Sequence, residues 1–293
     1  MSFHKIYYTF LCSILFACPL TIATWRTKNK QKMSNAQKSI SLTDEKPIIV
    51  FDLINVLFKE SYIGFAQRIG YGTLTSYALT HWKNPGHRCL DMLHAISDHD
   101  TQKPHLIITL NDKTMPRCIV ELYEGKQTCE QAKQEIQESI KRLEKEQFFS
   151  SSKEKNLMES IMNLMLDTQT ITHITEPIKP MIALIQKLKQ NGYALYLCAN
   201  IPREFYEALQ KKYPQILSDF NGIITSSSAQ VAKPNKALFE KLITTYQVNP
   251  KQCILIEHST DNVKSAESLG CRGIVYDKHS GLINYLKRHG VVV

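Results

Sequence analysis

The feature that most constrains this chain is an alternation running through residues 178–276. Four short apolar runs, "YALYLCA" (193–199), "NGIITSS" (221–227), "QCILIE" (252–257) and "RGIVY" (272–276), have the length and composition of buried strands. Between them lie "PREFYEALQKKYP", opening on Pro202, "NKALFEKLITTYQV", and "DNVKSAESLG", closing on Gly270. The block begins with "IKPMIALIQKLKQNG" (178–192), whose apolar residues recur at helical spacing and whose Gly192 marks a helix end. Proline in a first turn and glycine just past a last turn are the punctuation of helices. Strands alternating with helices predict an α/β fold with a parallel sheet covered on both faces, because parallel neighbours need a crossover long enough for a helix. A further run, "PIIVF" (47–51), predicts the first strand of the same sheet.

Between that first strand and the alternating block the pattern changes. Residues 58–176 carry helical stretches such as "TCEQAKQEIQESIKRLEKEQF" and "NLMESIMNLMLDTQ", with one apolar run, "HLIITL", of undecided type. This predicts a mainly α-helical insertion, a cap, within a core made of residues 47–57 and 177–293. An insertion after the first strand falls at the carboxyl edge of the sheet, where open α/β sheets bind their ligands.

The amino terminus is different in kind. Residues 6–25 carry no charge, whereas His4 and Lys5 precede them and Arg26, Lys28, Lys30 and Lys32 follow. About 20 uncharged residues can span a bilayer, and a charged start before an apolar stretch also describes a secretory signal. Residues 1–25 are therefore expected to be a signal peptide or membrane anchor, and the protein exported or membrane-anchored rather than cytoplasmic. Residues 26–46, polar and basic, read as a linker. The net charge of +9 suits a phosphorylated ligand or an anionic surface, but no nucleic-acid motif accompanies it, so no nucleic-acid partner is expected. None of the eight cysteines forms a CxxC pair, which argues against a zinc knuckle.

Four polar stretches fall just beyond predicted strand ends. They are "FDLINVL" with Asp52, "LCANIP" with Asn200, "AQVAKPNKALF" with Lys233, and "ILIEHSTDNVKSA" with Glu257, His258 and Asp261. Each taken alone has an ordinary structural explanation as a cap, a turn or a satisfied polar group. Their order and spacing, together with the insertion after the first, resemble the haloacid dehalogenase-like (HAD) hydrolases. The insertion's place is similar to the helical cap of the phosphoglycolate phosphatase-like subgroup.

The resemblance implies a Rossmann-like core and an aspartyl nucleophile, which would be Asp52. It implies that Lys233 neutralises nucleophile and phosphate, and that Asn200 helps bind substrate. It further implies Mg2+ held by Asp52, the Ile54 backbone carbonyl, Glu257 and His258, with Asp261 one turn further on. Three positions depart from the family pattern. Ile54 stands where a second Asp usually handles protons, Ala199 where a hydroxyl donor is usual, and His258 where a second carboxylate usually binds metal. An imidazole there suits a softer divalent metal, or none, better than magnesium. Three readings follow: a phosphatase acting on a small phosphorylated molecule with an altered site, a non-catalytic binding module, and a 2-haloacid dehalogenase.

Overall fold

The computed structural model describes residues 46–80, 95–96, 109–110, 113–114 and 117–293. The apolar amino-terminal segment, the linker up to residue 45 and most of "HLIITL" lie outside the described residues. Among the described residues, no helix is long and apolar enough to cross a membrane.

Strand β1 (Ile48–Phe51) is followed by a tight loop and β2 (Phe58–Glu60). Next come α1 (Tyr62–Ile69), α2 (Tyr71–Thr80) and the paired β3 (Thr109–Leu110) and β4 (Lys113–Thr114). Helices α3 (Arg117–Tyr123), α4 (Cys129–Lys145), α5 (Ser152–Leu166) and α6 (Thr168–Ile174) lead into β5 (Thr175–Pro177). From there helices and strands largely alternate. They are α7 (Lys179–Gln190), β6 (Leu195–Ala199), α8 (Arg203–Lys212), α9 (Pro214–Leu217), β7 (Gly222–Thr225), α10 (Ser226–Ala229) and α11 (Ala237–Tyr246). The chain finishes with β8 (Cys253–Glu257), α12 (Thr260–Glu267), β9 (Arg272–Val275) and α13 (His279–Arg288).

The central sheet has the strand order β7-β6-β1-β8-β9, and all four pairings are parallel. β1 lies in the middle because its residues are apolar on both faces, as a strand covered on two sides must be. Ile49 and Phe51 enter one core with Leu184 and Leu188 of α7 and Leu209 of α8. Val50 enters the other with Leu238, Phe239 and Leu242 of α11. The sequence pattern had asked for this two-sided burial. The end of α7 follows its glycine too. Gly192 takes φ 72°, and the Tyr193 amide donates to the Leu188 carbonyl at 3.0 Å, closing the last turn.

The inserted residues are not wholly helical. β2 and β5 pair antiparallel, with Glu60 opposite Thr175 and Lys59 opposite Glu176, so the chain leaves and re-enters the core through a two-stranded ribbon. Three residues per strand are too few for a period-two signal to stand out. Beyond the ribbon, α4 is entered through a capping box in which Thr128 and Gln131 exchange side-chain and backbone bonds. Its buried face, Ala132, Ile136, Ile140 and Leu143, keeps helical spacing and packs on α5.

The turn after α3 ties this insertion to the core. Ser226 Oγ donates to the Tyr123 carbonyl at 2.6 Å, and the Ala232 amide donates to Glu124 Oε1 at 3.3 Å. The Cys129 amide donates to Glu204 Oε1 at 3.0 Å. Gly125 takes φ 66°, and a Cβ added there would sit 2.5 Å from the Ser227 carbonyl oxygen. Gly125→Ala is expected to cost about 1–3 kcal/mol, since it combines a left-handed backbone with a backbone clash. A lowered midpoint in urea unfolding checks this; an unchanged midpoint would show that the turn does not hold the two parts together.

Candidate active site

Asp52 stands one residue past the end of β1, 3% exposed, with its amide donating to the Ile256 carbonyl at 2.9 Å. The loop that follows turns back at once. Asn55 adopts φ 64°, and the Leu57 and Phe58 amides both donate to the Leu53 carbonyl. This compact turn keeps Asp52 and Ile54 at the sheet edge, where both border one cavity.

Lys233 is the centre of the polar cluster and is 1% exposed. Its Nζ donates to Asp52 Oδ1 at 2.8 Å, to Glu257 Oε2 at 2.6 Å and to the Cys198 carbonyl at 2.8 Å. All three ammonium protons therefore have acceptors. Burial alone would lower its pKa, but the two carboxylates outweigh burial and raise it. Asn200 fixes the backbone of this lysine. The Lys233 amide donates to Asn200 Oδ1 at 2.8 Å, and Asn200 Nδ2 donates to the Lys233 carbonyl at 2.9 Å. The carboxamide expected to contact substrate is thus committed to positioning Lys233, although Asn200 also borders the cavity.

Glu257, at the end of β8, is fully buried. Its Oε1 accepts the His258 and Ser259 amides at 2.8 and 3.1 Å. Burial pushes its pKa up, yet Lys233 and His258 pull it down further, so it is held ionised. His258 turns Nδ1 toward Asp52 Oδ2 at 2.5 Å and Glu257 Oε1 at 2.9 Å. Facing two carboxylates, that nitrogen carries a proton. Burial lowers the His258 pKa, but Asp52 and Glu257 overcome it and bring it to about 9.

Two carboxylates are thus matched by two cations. The ligand atoms of Asp52, Glu257 and His258 lie within 4.8 Å of one another, which is metal-site spacing. Their chemistry does not fit magnesium. Lys233 and His258 already donate to both carboxylates, and one of the three groups offers nitrogen to a cation that prefers oxygen. Asp261 does not join the cluster. α12 begins only at Thr260, so Asp261 sits in its exposed first turn, 4.0 Å from Lys264, with its side chain 61% exposed. The expectation that one turn separates it from His258 fails because His258 and Ser259 are not helical.

Above Asp52, His258 and Asn200 lies a cavity of about 60 Å³. Ile119, Leu122, Met165, Leu166, Ile201 and Phe205 make most of its wall apolar. Glu60 also borders it, at the end of β2. Sequence reasoning missed this residue, whose only signal was the alternation Phe58-Lys59-Glu60.

A parallel α/β sheet with a lysine-bound aspartate beyond its central strand, and an inserted segment sharing a cavity with it, is the layout of an α/β protein that binds its ligand at the carboxyl edge of the sheet. The sequence profile of haloacid dehalogenase-like hydrolases matches residues 47–270, and the chain belongs to that family. Among its relatives, the sesquiterpene phosphatase astK of Aspergillus oryzae is 27% identical over 104 residues, covering 35% of this chain and 52% of that protein. A phosphoglycolate phosphatase of Aliivibrio fischeri is 24% identical over 120 residues, covering 41% and 48%. The chain therefore spans about half the length of the curated relatives it matches. A HAD family enzyme of Bacteroides thetaiotaomicron shares the fold, with TM-score 0.52 and 16% identity over 81% of this chain and 98% of that one.

Removing Lys233 leaves two buried carboxylates sharing the His258 imidazolium alone. Lys233→Met should cost about 3–5 kcal/mol, read from denaturant unfolding. Retention of wild-type stability would show that the carboxylates are not both ionised. His258 predicts the alkaline side. Its pKa in the folded protein, about 9, lies above its ordinary 6.5. The folded state thus binds the extra proton, and the contribution is complete below about 6.5 and is lost as pH rises through about 9. Denaturation across that range should show a decline that His258→Gln lacks; parallel curves for the two proteins would refute the assignment.

Proposed function

We propose that this hydrolase cleaves a small phosphate monoester through a covalent intermediate on Asp52, with Lys233 and His258 supplying the positive charge that family members draw from magnesium. One observation carries the reading. The Asp52 carboxylate lies at the carboxyl edge of the central strand, beside a cavity, with a cation against each of its oxygens. An Asp52 oxygen attacks phosphorus, the P–O bond to the alcohol breaks, and an acyl phosphate forms. Water then cleaves the acyl phosphate, releasing inorganic phosphate and regenerating the carboxylate. Fixed cations in a dry site stabilise the charge on the phosphoryl oxygens without having to reorganise.

The cavity argues for a substrate with a short apolar alcohol part. A cavity of about 60 Å³ is small beside the ~300–1,000 Å³ of ordinary ligand pockets, and its wall is mostly hydrocarbon. In this reading residues 58–176 act as the cap that selects that alcohol. The phosphatase names of the two relatives support ester cleavage. No arginine borders the cavity among the described residues, so nothing there would receive a halide, and the dehalogenase reading gains no support. The apolar segment 6–25, outside the described residues, we assign to membrane targeting; the mass of the mature protein tests whether it is cleaved or kept.

A second reading has its own observation. Both Asp52 oxygens are already hydrogen-bonded by Lys233 and His258, as they would be in a purely structural ion cluster. An assay of phosphate monoesters separates the two. Residues 34–293 should turn over short alkyl and aryl phosphates in the presence of a chelator, and Asp52→Asn should abolish this by at least about 10³-fold. Turnover that requires added magnesium would overturn the role given to His258. Absence of turnover with or without metal would establish the non-catalytic reading.

A further inference from the structure

The reaction proposed above needs a group that delivers a proton to the departing alkoxide and takes one from the attacking water. Ile54, two residues beyond Asp52, stands where the family resemblance implies such a group, and its aliphatic side chain can neither give nor take a proton. We propose that Glu60, which borders the same cavity as Asp52, is the acid–base residue of this site. The inference rests on the phosphate-ester reading and deepens it.

The placement is structural. Glu60 ends β2, whose antiparallel pairing with β5 fixes its backbone opposite Thr175. Period two along the strand sends Lys59 to the outside, opposite Glu176, and leaves Glu60 on the cavity side with Asp52 and His258. Glu60, Asp52 and His258 all line this one cavity of about 60 Å³. No hydrogen bond or ion pair holds the Glu60 carboxyl among the described residues, so its proton is available to an occupant.

The other polar groups bordering the cavity are unsuited. Asn200 is committed to the Lys233 backbone. His258, held at Nδ1 by two carboxylates, must keep its proton to supply the positive charge the reaction needs beside Asp52. The Cys129 thiol pairs with Thr168 Oγ1 at 3.6 Å, and burial raises its pKa. Burial raises the Tyr123 phenol likewise, with Glu60 adding to the effect. Burial also pushes the Glu60 carboxyl up to about 7, and no cation offsets it. The titratable groups near it are the hydroxyls of Tyr62 on α1 and Tyr123 on α3, both neutral when Glu60 titrates, and, around the shared cavity, Asp52, His258 and the Cys129 thiol. A carboxyl that titrates near neutrality can give and take a proton within one cycle.

The bookkeeping closes. As Asp52 attacks, the P–O bond electrons pass to the leaving oxygen, which takes the Glu60 proton and departs as a neutral alcohol. The resulting Glu60 carboxylate then accepts a proton from water as that water attacks phosphorus. Asp52 leaves as carboxylate, and Glu60 is again protonated.

Leaving-group dependence tests this. Wild-type protein and Glu60→Gln are compared on butyl phosphate, whose alkoxide must be protonated to leave, and on 4-nitrophenyl phosphate, whose phenolate leaves without help. The expected result is a fall in kcat/KM of about 10²–10⁴-fold on the alkyl ester and a much smaller one on the aryl ester. The wild-type kcat/KM for butyl phosphate should also decline as pH rises through about 7, and that limb should vanish in Glu60→Gln. Thermal unfolding of the variant serves as the folding control, since the half-buried Glu60 carboxyl makes no hydrogen bond or ion pair among the described residues for the substitution to remove. Equal losses on both esters, or none, would overturn the role of Glu60 while Asp52→Asn still abolished turnover and upheld the phosphatase reading. Wild-type protein inactive on both esters would overturn both.

Discussion

The Lys233 ammonium, buried between Asp52 and Glu257, is the interaction on which the rest of the site depends. A charge so fully removed from water is tolerated only when its partners and hydrogen bonds are complete. Here they are drawn from three neighbouring strand ends: Asp52 beyond β1, the Cys198 carbonyl of β6 and Glu257 of β8. The parallel sheet brings those three groups to one edge because β1 lies between β6 and β8. Asn200 then fixes where the lysine backbone starts, with two bonds to its amide and carbonyl. Loosening any one contact would strand a charge in an apolar interior, so the cluster is held in a single arrangement.

That constraint explains why His258 belongs to the cluster rather than merely bordering it. With Lys233 alone, two carboxylates would share one cation, and the excess negative charge would have to be neutralised by a proton or a metal. The imidazolium does this from within the chain, with its proton between Asp52 and Glu257. Replacing a carboxylate by histidine at this position therefore does more than delete a metal ligand. It changes the sign of the group, and in the proposed reaction the imidazolium stands in for the charge of an added cation. The cost is that the compensating charge is now titratable, which an ion of fixed charge is not.

Much of this was legible in the sequence, and the parts that were not share a cause. The sheet could be read because strands covered on both faces are continuous apolar runs, and the groups after such runs must gather at one edge. Asp52, Lys233, Glu257 and His258 were found in that way. Asn200 was placed correctly at the edge, but its role depended on a bond to the backbone of a residue 33 positions away. Asp261 was misjudged because its direction depends on the residue at which α12 begins. Glu60 was missed because its strand is three residues long and is defined only by pairing with β5, more than a hundred residues later. Local pattern locates elements; it does not say which distant segment lies opposite them.

The inserted segment sets the dielectric of the site. Its turn after α3 is bonded to the core through Ser226, Ala232 and Glu204, so the apolar side chains of α3, α5 and α6 are brought over Asp52 rather than left to solvent. The same exclusion of water has two effects of opposite sign. It strengthens the attraction of Lys233 and His258 for the carboxylates they face, which keeps Asp52 and Glu257 surrounded by positive charge. It also raises the cost of ionising Glu60, which has no cation to compensate it. One apolar wall thus separates carboxyls of similar intrinsic acidity into two kinds, those bound to cations at the sheet edge and one near neutrality bordering the same cavity. A division of that kind, produced by environment rather than by residue type, is what the proposed reaction would use to keep a nucleophilic carboxyl and a proton donor at one small cavity.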